Sequence, residues 1–580
     1  MLRLSFPCVN LAVRTSDLEN PFYYLDNFRQ VLAWISQRYD DLLDEQERQF
    51  ITTFHALPQP AQGLLVRMVM RKGTLFRASK LDYEEIGDTH LAATPLFAAG
   101  WVDPRPTLSL EQLFTLLRKP ELNLCFKAHG MKGTERKAEL LARLQPLHES
   151  TLTLDEWFAG LDDKAFQLTV MPVCDRLRLL YFGNLYQEWS EFVLADLGIY
   201  RYEKVEFSTH SRGITERVDI DTCVALHDCR QALDEASALA ALTELALSAI
   251  AITTANPWLN MRRGKLLFQI GQQAERMQDW PLALRVYEQS RYPGARSRRI
   301  RVLERSGDYS RAMTLLEQAQ ASPENDAEKQ HLLRILPRLQ RKLSVAVKGR
   351  RMVRKVPRLD LCLAPSPIMR VEQLIQRHLE EEGGPVYYVE NTLINSLFGL
   401  LCWPAIFAPL PGAFFHPFHS GPADLHSPDF YQRRAALFDA CLSQLDSDAW
   451  QATIREHYLS KFGLQSPFVF WGALTPQLLD QALLCLPVEH LRHWFRRLLL
   501  DIKANRTGMP DLIQFFPAQQ RYRMIEVKGP GDRLQDNQLR WLDFCAEHGM
   551  PVVVCYVQWE LAQVEDCGRS DLEVATAQYQ

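Results

Sequence analysis

A strand–turn–strand–helix–strand pattern near the C-terminus limits the possible folds more than any other part of the sequence. Residues 511–516 (DLIQFF) and 522–528 (YRMIEVK) have the length and apolar content of strands, and a proline-containing turn joins them. Residues 536–548 have apolar side chains at helical spacing, and residues 552–557 (VVVCYV) predict a third strand. This succession predicts an α/β core at the C-terminal end of the chain.

Two acidic residues and one lysine lie on this predicted core. Alternate side chains of a strand share a face, so Glu526 and Lys528 should project together, and Asp511 can reach the same face from the neighbouring strand. Two carboxylates can hold a hard divalent cation, and the Val527 carbonyl can add a third oxygen. The cation would polarise a scissile phosphate, while Lys528 would orient the attacking water or stabilise negative charge on the phosphoryl oxygens. For the triplet alone, a surface ion pair between Glu526 and Lys528 is the alternative.

The residues that follow the lysine make the pattern more specific. The segment EVKGPGDRLQDNQLRWL contains a Gly-Pro-Gly turn and then a predicted helix, and the motif PDL begins the first strand. These elements together resemble the virus-type replication-repair nuclease domain, a branch of the PD-(D/E)xK superfamily with a restriction-endonuclease-like α/β fold. The resemblance implies that Asp511, Glu526 and the Val527 carbonyl bind metal, that Lys528 is catalytic, and that Gln538 supports the site.

An upstream segment, YYVENTLINSLFGLLCWPAIF, extends this resemblance. Its apolar stretch predicts a buried helix that includes Glu390, and from the residues alone Glu390 can equally be an acidic residue of a first helical turn, stabilised by the helix dipole. With EVKGPxDRL far downstream, the segment resembles the Fanconi-associated nuclease family. That resemblance implies that Glu390 completes the metal shell and that the cofactor is Mg²⁺ or Mn²⁺.

Three histidines in FFHPFHSGPADLH, namely His416, His419 and His426, suggest a metal site at first sight. Pro417 breaks the helix that would align the first two, and a hard cation held by oxygen ligands does not need imidazole. We therefore predict a loop that packs against the nuclease core.

The chain is too long for one hydrophobic core, because 580 residues usually form several domains. We predict mainly α-helical N-terminal and middle regions before the α/β nuclease domain. The predicted domains are an N-terminal helical DNA-contacting domain (1–105), a SAP-like domain (106–150), a helical linker with tetratricopeptide-like hairpins (151–360) and the nuclease domain (361–580).

Two local patterns support the helical regions. Residues 106–150 resemble a SAP-type DNA-binding helix pair, with Ser109 as an N-cap, although a plain helical hairpin is equally consistent. Further on, AERMQDWPLALRVYE (274–288) matches LERSGDYSRAMTLLE (303–317) at a period of about 29 residues, which predicts stacked helical hairpins.

The formal net charge of -4 argues against a polyanion-binding protein, but basic residues are clustered locally. One cluster lies in the SAP-like segment, another between the two repeat units, and a third in a run without acidic residues at 341–358. A solvated face is the alternative explanation of such clusters. We predict phosphate contacts by Lys127, Lys132, Arg136, Lys137, Arg296, Arg298, Arg299, Arg350 and Arg351.

The sequence contains no long apolar run and no signal-peptide pattern, so we expect a cytoplasmic, nucleoid-associated protein without membrane partners. Its twelve cysteines lack CxxC spacing, which favours buried thiols over disulfides or a zinc site.

The family resemblance implies a structure-selective DNA repair nuclease that cuts near 5′ flaps of branched DNA, has 5′-to-3′ exonuclease activity and acts in interstrand cross-link repair. The residues alone support metal-assisted phosphodiester hydrolysis on a nucleic acid gripped by basic helices. One alternative is a restriction-type endonuclease that reads sequence. The other is a non-catalytic DNA-binding scaffold with a vestigial nuclease fold, which the intact triplet of Asp511, Glu526 and Lys528 argues against.

Overall fold

The computed structural model describes residues 20–127, 135–189, 191, 200–345 and 356–560. Its contacts divide the chain into two compact units, the first formed by residues 1–302 and 407–424 and the second by residues 303–406 and 425–580. The four domain boundaries predicted from the sequence stay predictions.

The first unit is mainly helical, as expected from its amphipathic periodicity. In its first helix, Phe28, Val31, Leu32 and Ile35 recur at helical spacing and are buried. The strands of this unit are β1 (Leu75–Arg77), β2 (Val102–Asp103), β3 (Thr107–Leu108), β4 (Leu152–Thr153) and β5 (Ala165–Leu168). They form two small sheets, of strand order β1-β5-β2 and β3-β4. The helices span Tyr23–Tyr39, Glu45–Ala56, Gln59–Val69, Thr89–Ala98, Leu110–Leu116, Lys119–Cys125, Lys137–Leu144, Leu154–Trp157, Met171–Phe182, Arg217–Glu235, Leu239–Ala251, Pro257–Arg276, Trp280–Gln289 and Ala295–Ser306, the last of which contains the boundary at residue 302.

The predicted SAP-like segment contains more helices than the pair that we expected. Ser109 is the predicted N-cap: its hydroxyl accepts from the Gln112 backbone N–H at 3.3 Å, and the Gln112 side-chain oxygen accepts from the Ser109 backbone N–H at 2.8 Å. The first helix ends because Leu117 is extended, and a separate short helix begins with Pro120 in its first turn. The expected pair is therefore wrong in number, and residues 132–134 (KGT), for which the sequence predicts a turn before the last helix, lie outside the described residues.

The sequence repeat corresponds to two pairs of consecutive helices joined by short turns, which confirms the predicted repeat of helices. The turns are equivalent, since Gln278 and Gly307 both have positive φ values, of 60° and 83°. The residues after them, Asp279 and Asp308, are both N-caps that accept from a backbone N–H three positions on. The repeated sequence thus encodes a repeated turn as well as a repeated apolar pattern.

The second unit holds a five-stranded sheet, whose strands are β6 (Arg358–Leu363), β7 (Val386–Tyr388), β8 (Leu512–Phe516), β9 (Arg521–Lys528) and β10 (Val552–Trp559). Their order in the sheet is β6-β10-β9-β8-β7. β6, β10 and β9 run parallel, whereas β7, β8 and β9 pair antiparallel. The helices of this unit span Tyr309–Ala321, Asp326–Lys342, Val371–Leu379, Leu393–Leu401, Trp403–Ile406, Phe430–Arg433, Ala435–Ser443, Ala449–Ser460, Pro476–Cys485, Val488–Leu500, Ile502–Asn505 and Asp536–Glu547.

The sheet confirms the predicted C-terminal α/β core. The hairpin β8–β9, the following helix and the strand β10 all form where the sequence places them, and Gln520 closes the hairpin in a left-handed conformation with φ of 49°. Ile525 and Val527 of β9 lie in one apolar core with Leu512 and Cys555. The intervening residues of β9 consequently project to the opposite face.

In the part of the chain that the structure describes, no helix is both long enough and apolar enough to cross a membrane.

Candidate active site

Strand pairing brings the predicted acidic residues together. Leu512 of β8 pairs with Ile525 of β9, so the preceding Asp511 lies beside Glu526 and Val527. One Asp511 carboxylate oxygen, Oδ2, accepts a hydrogen bond from the Val527 backbone N–H at 2.8 Å. The carboxylate of Asp511 is therefore fixed to β9 by the backbone of a predicted metal-binding residue.

Glu526 and Lys528 form an ion pair that is buried in the second unit. The Lys528 Nζ lies 2.8 Å from Glu526 Oε1, and the two residues are 7% and 0% exposed, respectively. The pair is thus not the solvated surface contact that was the alternative for the bare triplet. In the described part of the chain, neither Glu526 oxygen accepts a hydrogen bond of good geometry, and Oε2 has no partner. A buried carboxylate of this kind is costly unless another charge compensates it.

The electrostatics of the site also indicate a shortage of positive charge. Burial, aided by repulsion from Glu390 and opposed by the Val527 N–H, raises the pKa of Asp511 to about 6. Burial, with repulsion from Asp511, raises the pKa of Glu526 to about 8 even though Lys528 favours its charged form. The site is therefore arranged so that an added cation would be strongly favoured.

Glu390 lies beside these residues but not on a helix, so the predicted helical position is wrong. It occupies a turn between β7 and the helix that begins at Leu393. The helix does not extend back to Glu390 because Asn391 has a positive φ of 53°, which lies outside the helical region. The Val389 N–H donates to the Asp511 carbonyl at 2.8 Å, which brings this turn to the strand that carries Asp511.

Several residues around the turn contribute to the site although the sequence motifs did not predict them. The Tyr388 hydroxyl donates to Glu390 Oε2 at 2.5 Å, and the Asn391 side chain donates to Oε1 at 3.1 Å. Glu372, at the start of the helix Val371–Leu379, adds a smaller repulsion that raises the pKa of Asp511. Tyr388 and Asn391 lie within two residues of Glu390, so proximity in sequence was an available signal for both, whereas the repulsion between Glu372 and Asp511 joins distant parts of the chain.

The side chains present fit a hard divalent cation by their chemistry, since carboxylate oxygens are its preferred ligands. Among the described residues, however, no group of three or more His, Cys, Asp or Glu side chains is arranged to hold a metal ion. Asp511, Glu526 and Glu390 each have at least one carboxylate oxygen in contact with a hydrogen-bond donor or a cationic group of the protein. Glu526 Oε2 is the exception, and this buried oxygen without a partner is the observation that favours a cation here.

Gln538 caps its own helix in the structure. Its side-chain oxygen accepts from the Gln535 backbone N–H at 2.9 Å at the start of the helix Asp536–Glu547. The predicted support of the metal site by Gln538 stays a prediction.

The histidine loop does not pack as predicted. The rings of His416 and His419 are tilted by 36° with centroids 4.1 Å apart, and His416 stacks on Tyr181 of the first unit. Burial lowers the pKa of His419 to about 4, and burial with repulsion from His419 lowers the pKa of His416 well below its usual value, which favours neutral rings. Residues 407–424, which include His416 and His419, belong to the helical first unit, where aromatic residues such as Tyr181 offer an apolar surface, whereas His426 belongs to the second unit.

The predicted DNA contacts have varied surroundings. Lys132, Arg350 and Arg351 lie outside the described residues. Arg136 is exposed, whereas the Lys137 ammonium donates to the Leu117 carbonyl at 2.8 Å. The roles of all these residues in DNA binding stay predictions.

The arginine-rich helix Ala295–Ser306 holds three more of these residues, all partly buried: Arg296, Arg298 and Arg299. Arg298 pairs with Glu275 at 3.4 Å, and Arg299 pairs with Glu288 at 2.8 Å. These ion pairs compete with phosphate contacts for the same guanidinium groups.

Three protein families match successive parts of the chain. The FAN1 HTH domain matches residues 22–103, the Fanconi anemia-associated nuclease SAP domain matches residues 107–157, and the VRR-NUC domain matches residues 446–559. The last range contains Asp511, Glu526 and Lys528 but not Glu390. A nuclease domain of this type implies dependence on a divalent metal.

Similar proteins agree with these matches. A Fanconi-associated nuclease 1 homolog of Pseudomonas aeruginosa is 59% identical over 95% of this chain and 98% of its own length. The Fanconi-associated nuclease 1 of Homo sapiens is 25% identical over 92% of this chain, which spans only 62% of the human protein. The protein in the crystal structure of paFAN1 bound to 5′ flap DNA, with a two-nucleotide flap and a gap, is 60% identical to this chain. The structural match covers 93% of this chain and 99% of that protein, with a TM-score of 0.87. The chain therefore belongs to the Fanconi-associated nuclease 1 family.

Proposed function

We propose that this DNA repair nuclease hydrolyses phosphodiester bonds near 5′ flaps with a divalent cation held by Asp511, Glu526, Glu390 and the Val527 carbonyl. The observation that carries the proposal is the buried Glu526 carboxylate, one oxygen of which has no partner among the described residues. Two further carboxylates lie beside it, and the residues are those expected for metal-assisted phosphoryl chemistry. The nuclease activity itself is that of the family.

When bound, the cation would polarise the scissile phosphate and lower the pKa of an attacking water. The protein residues have separate tasks around it. The Val527 N–H holds Asp511 in one orientation, so that this carboxylate does not have to be ordered on binding. Lys528 is buried beside Glu526, where its ammonium can orient the water or stabilise negative charge that develops on the phosphoryl oxygens. Burial strengthens both effects because little solvent screens them.

The finer parts of the proposal rest on the family. A relative that is 60% identical is described in complex with 5′ flap DNA, which supports flap recognition here and does not favour a restriction-type enzyme that reads sequence. We include 5′-to-3′ exonuclease activity, a role in interstrand cross-link repair and association with the nucleoid. Mg²⁺ or Mn²⁺ is the proposed cation, since both accept octahedral oxygen ligation.

Cleavage mapping on 5′ flaps, nicks and plain duplexes, each labelled at either end, tests this proposal. We expect cuts near the flap junction that require Mg²⁺ or Mn²⁺ and stop when the cation is chelated. Asp511→Asn serves as the matched variant, because the amide can still accept from the Val527 N–H but cannot supply a second anionic oxygen. Undiminished cutting in chelator, or equal cutting of flap and duplex, would contradict the metal or the structural selectivity, respectively.

A further inference from the structure

We propose that Tyr388 and Asn391 are positioning residues that hold the Glu390 carboxylate ready for the cation. The inference rests on the proposed function, because it assumes that Glu390 belongs to the metal site. It adds two residues that act through Glu390 and do not bind the metal themselves.

Tyr388 is placed for this task by the sheet. It is the last residue of β7 and pairs with Leu512 of β8, the residue that follows Asp511. Its hydroxyl donates to Glu390 Oε2 at 2.5 Å. The residue is 46% exposed, so this contact is not a by-product of core packing. A short bond of this kind to a carboxylate is among the stronger hydrogen bonds in proteins.

Asn391 holds the other oxygen of the same carboxylate. Its side-chain amide donates to Glu390 Oε1 at 3.1 Å, and its own oxygen accepts from the Met509 N–H at 3.1 Å. Asn395 donates to the Asn391 carbonyl at 2.7 Å and to the Arg506 carbonyl at 2.9 Å. These bonds join the Glu390 turn to the segment just before Asp511, and they explain how Asn391 keeps its left-handed conformation.

The two donors counter an electrostatic problem. Glu390 repels both Asp511 and Glu526, so a free Glu390 side chain would turn away toward solvent. Each oxygen of a carboxylate can accept more than one contact, so the bonds from Tyr388 and Asn391 leave capacity for a cation. Residues that orient metal ligands in this way typically affect metal affinity by about 10- to 100-fold.

The test is calorimetric titration of the metal-free full chain with Mn²⁺, without DNA. We expect Tyr388→Phe to weaken Mn²⁺ binding on the order of tenfold, because the ring remains while the hydroxyl is lost. Tyr387→Phe is the matched control: this neighbour on the opposite face of β7 packs on Phe515 and should bind Mn²⁺ as the wild type does. Both variants should unfold at the wild-type temperature in chelator.

A second arm examines the other donor. Asn391→Gly keeps a backbone that tolerates positive φ and removes the amide, so it should weaken Mn²⁺ binding in the same direction. If this variant unfolds early, the Tyr388→Phe result alone decides the inference.

A double variant separates the positioning role from others. If Tyr388 acts through Glu390, adding Tyr388→Phe to Glu390→Gln should cause no further loss of Mn²⁺ affinity. Wild-type affinity in Tyr388→Phe, or an equal loss in the Glu390→Gln background, would overturn the inference. Wild-type affinity in Glu390→Gln alone would also overturn it and leave Asp511 and Glu526 as the acidic ligands. The proposed function itself, as distinct from this inference, fails if Asp511→Asn retains both Mn²⁺ binding and cleavage.

Discussion

Charged side chains have opposite surroundings in strand β9 and in the arginine-rich helix Ala295–Ser306. On β9, Glu526 is fully buried and keeps one oxygen without a partner among the described residues. On the helix, Arg298 and Arg299 are partly exposed and each has an acidic partner. Incompletely satisfied, buried charge thus indicates a ligand site, whereas partly exposed and paired charge is consistent with fold stability as well as with DNA binding.

The largest effect should come from the lysine of β9. Lys528→Ala should slow flap cleavage on the order of 100- to 1000-fold, because it removes a preorganised positive charge from a buried site. DNA affinity should change little, since one buried lysine contributes little to phosphate binding. Gel-shift and single-turnover assays would measure both quantities, with Lys164→Ala, an exposed lysine of the first unit, as the control. Parallel loss of binding and cleavage would indicate a folding defect and remove the contrast.

The next largest effect concerns the turn between β7 and the following helix. Glu390→Gln is nearly isosteric, and it should raise the metal concentration for half-maximal cleavage by about tenfold because an anionic ligand is lost. Glu380→Gln, at an exposed position just before β7, is the control. If Glu390 only interacts with a helix dipole, metal dependence will stay at the wild-type value and stability will fall by about 0.3 to 1 kcal/mol.

The position of Glu390 also shows which parts of the structure could be predicted from the sequence. Strands β8, β9 and β10 were predictable because their apolar residues alternate or form short runs bounded by turns. Strand β6 was not predicted although Leu359, Leu361 and Leu363 alternate along it, whereas the three residues of β7 are too few to form a pattern. The left-handed Asn391, which takes Glu390 off the helix, depends on a bond to the distant Met509, and the pairing of Arg298 with Glu275 is likewise long-range. Local patterns do not encode such contacts.

Arginine substitutions test the other side of the comparison. If Arg298 and Arg299 contact phosphates, changing both to Gln should weaken DNA binding and reduce the salt-dependence slope by about one unit per lost contact. The matched variant Glu288→Gln removes the ion-pair partner of Arg299 and should strengthen binding slightly. An unchanged slope together with a lower unfolding temperature would assign the two arginines to the fold.

The smallest effect is a change in stability with pH in the absence of metal. The pKa of Asp511 is raised to about 6, so protonation stabilises the folded state; this stability is present at low pH and is lost as pH rises through about 6. Asp511→Asn removes that loss and should raise the free energy of unfolding at pH 8 by about 1 kcal/mol, with a difference that shrinks toward pH 4. Thermal unfolding in chelator would measure it, and a variant that is less stable than the wild type at pH 8 would show that the carboxylate is well compensated.

Calorimetric titration of metal-free wild-type, Glu526→Gln and Asp511→Asn proteins with Mn²⁺ tests most directly whether β9 and its neighbour form a metal site. We expect the wild type to bind Mn²⁺ and both variants to show no binding at concentrations that saturate the wild type, because each loses an anionic oxygen from a buried site. Mn²⁺ affinity equal to that of the wild type in both folded variants would contradict the assignment of the site.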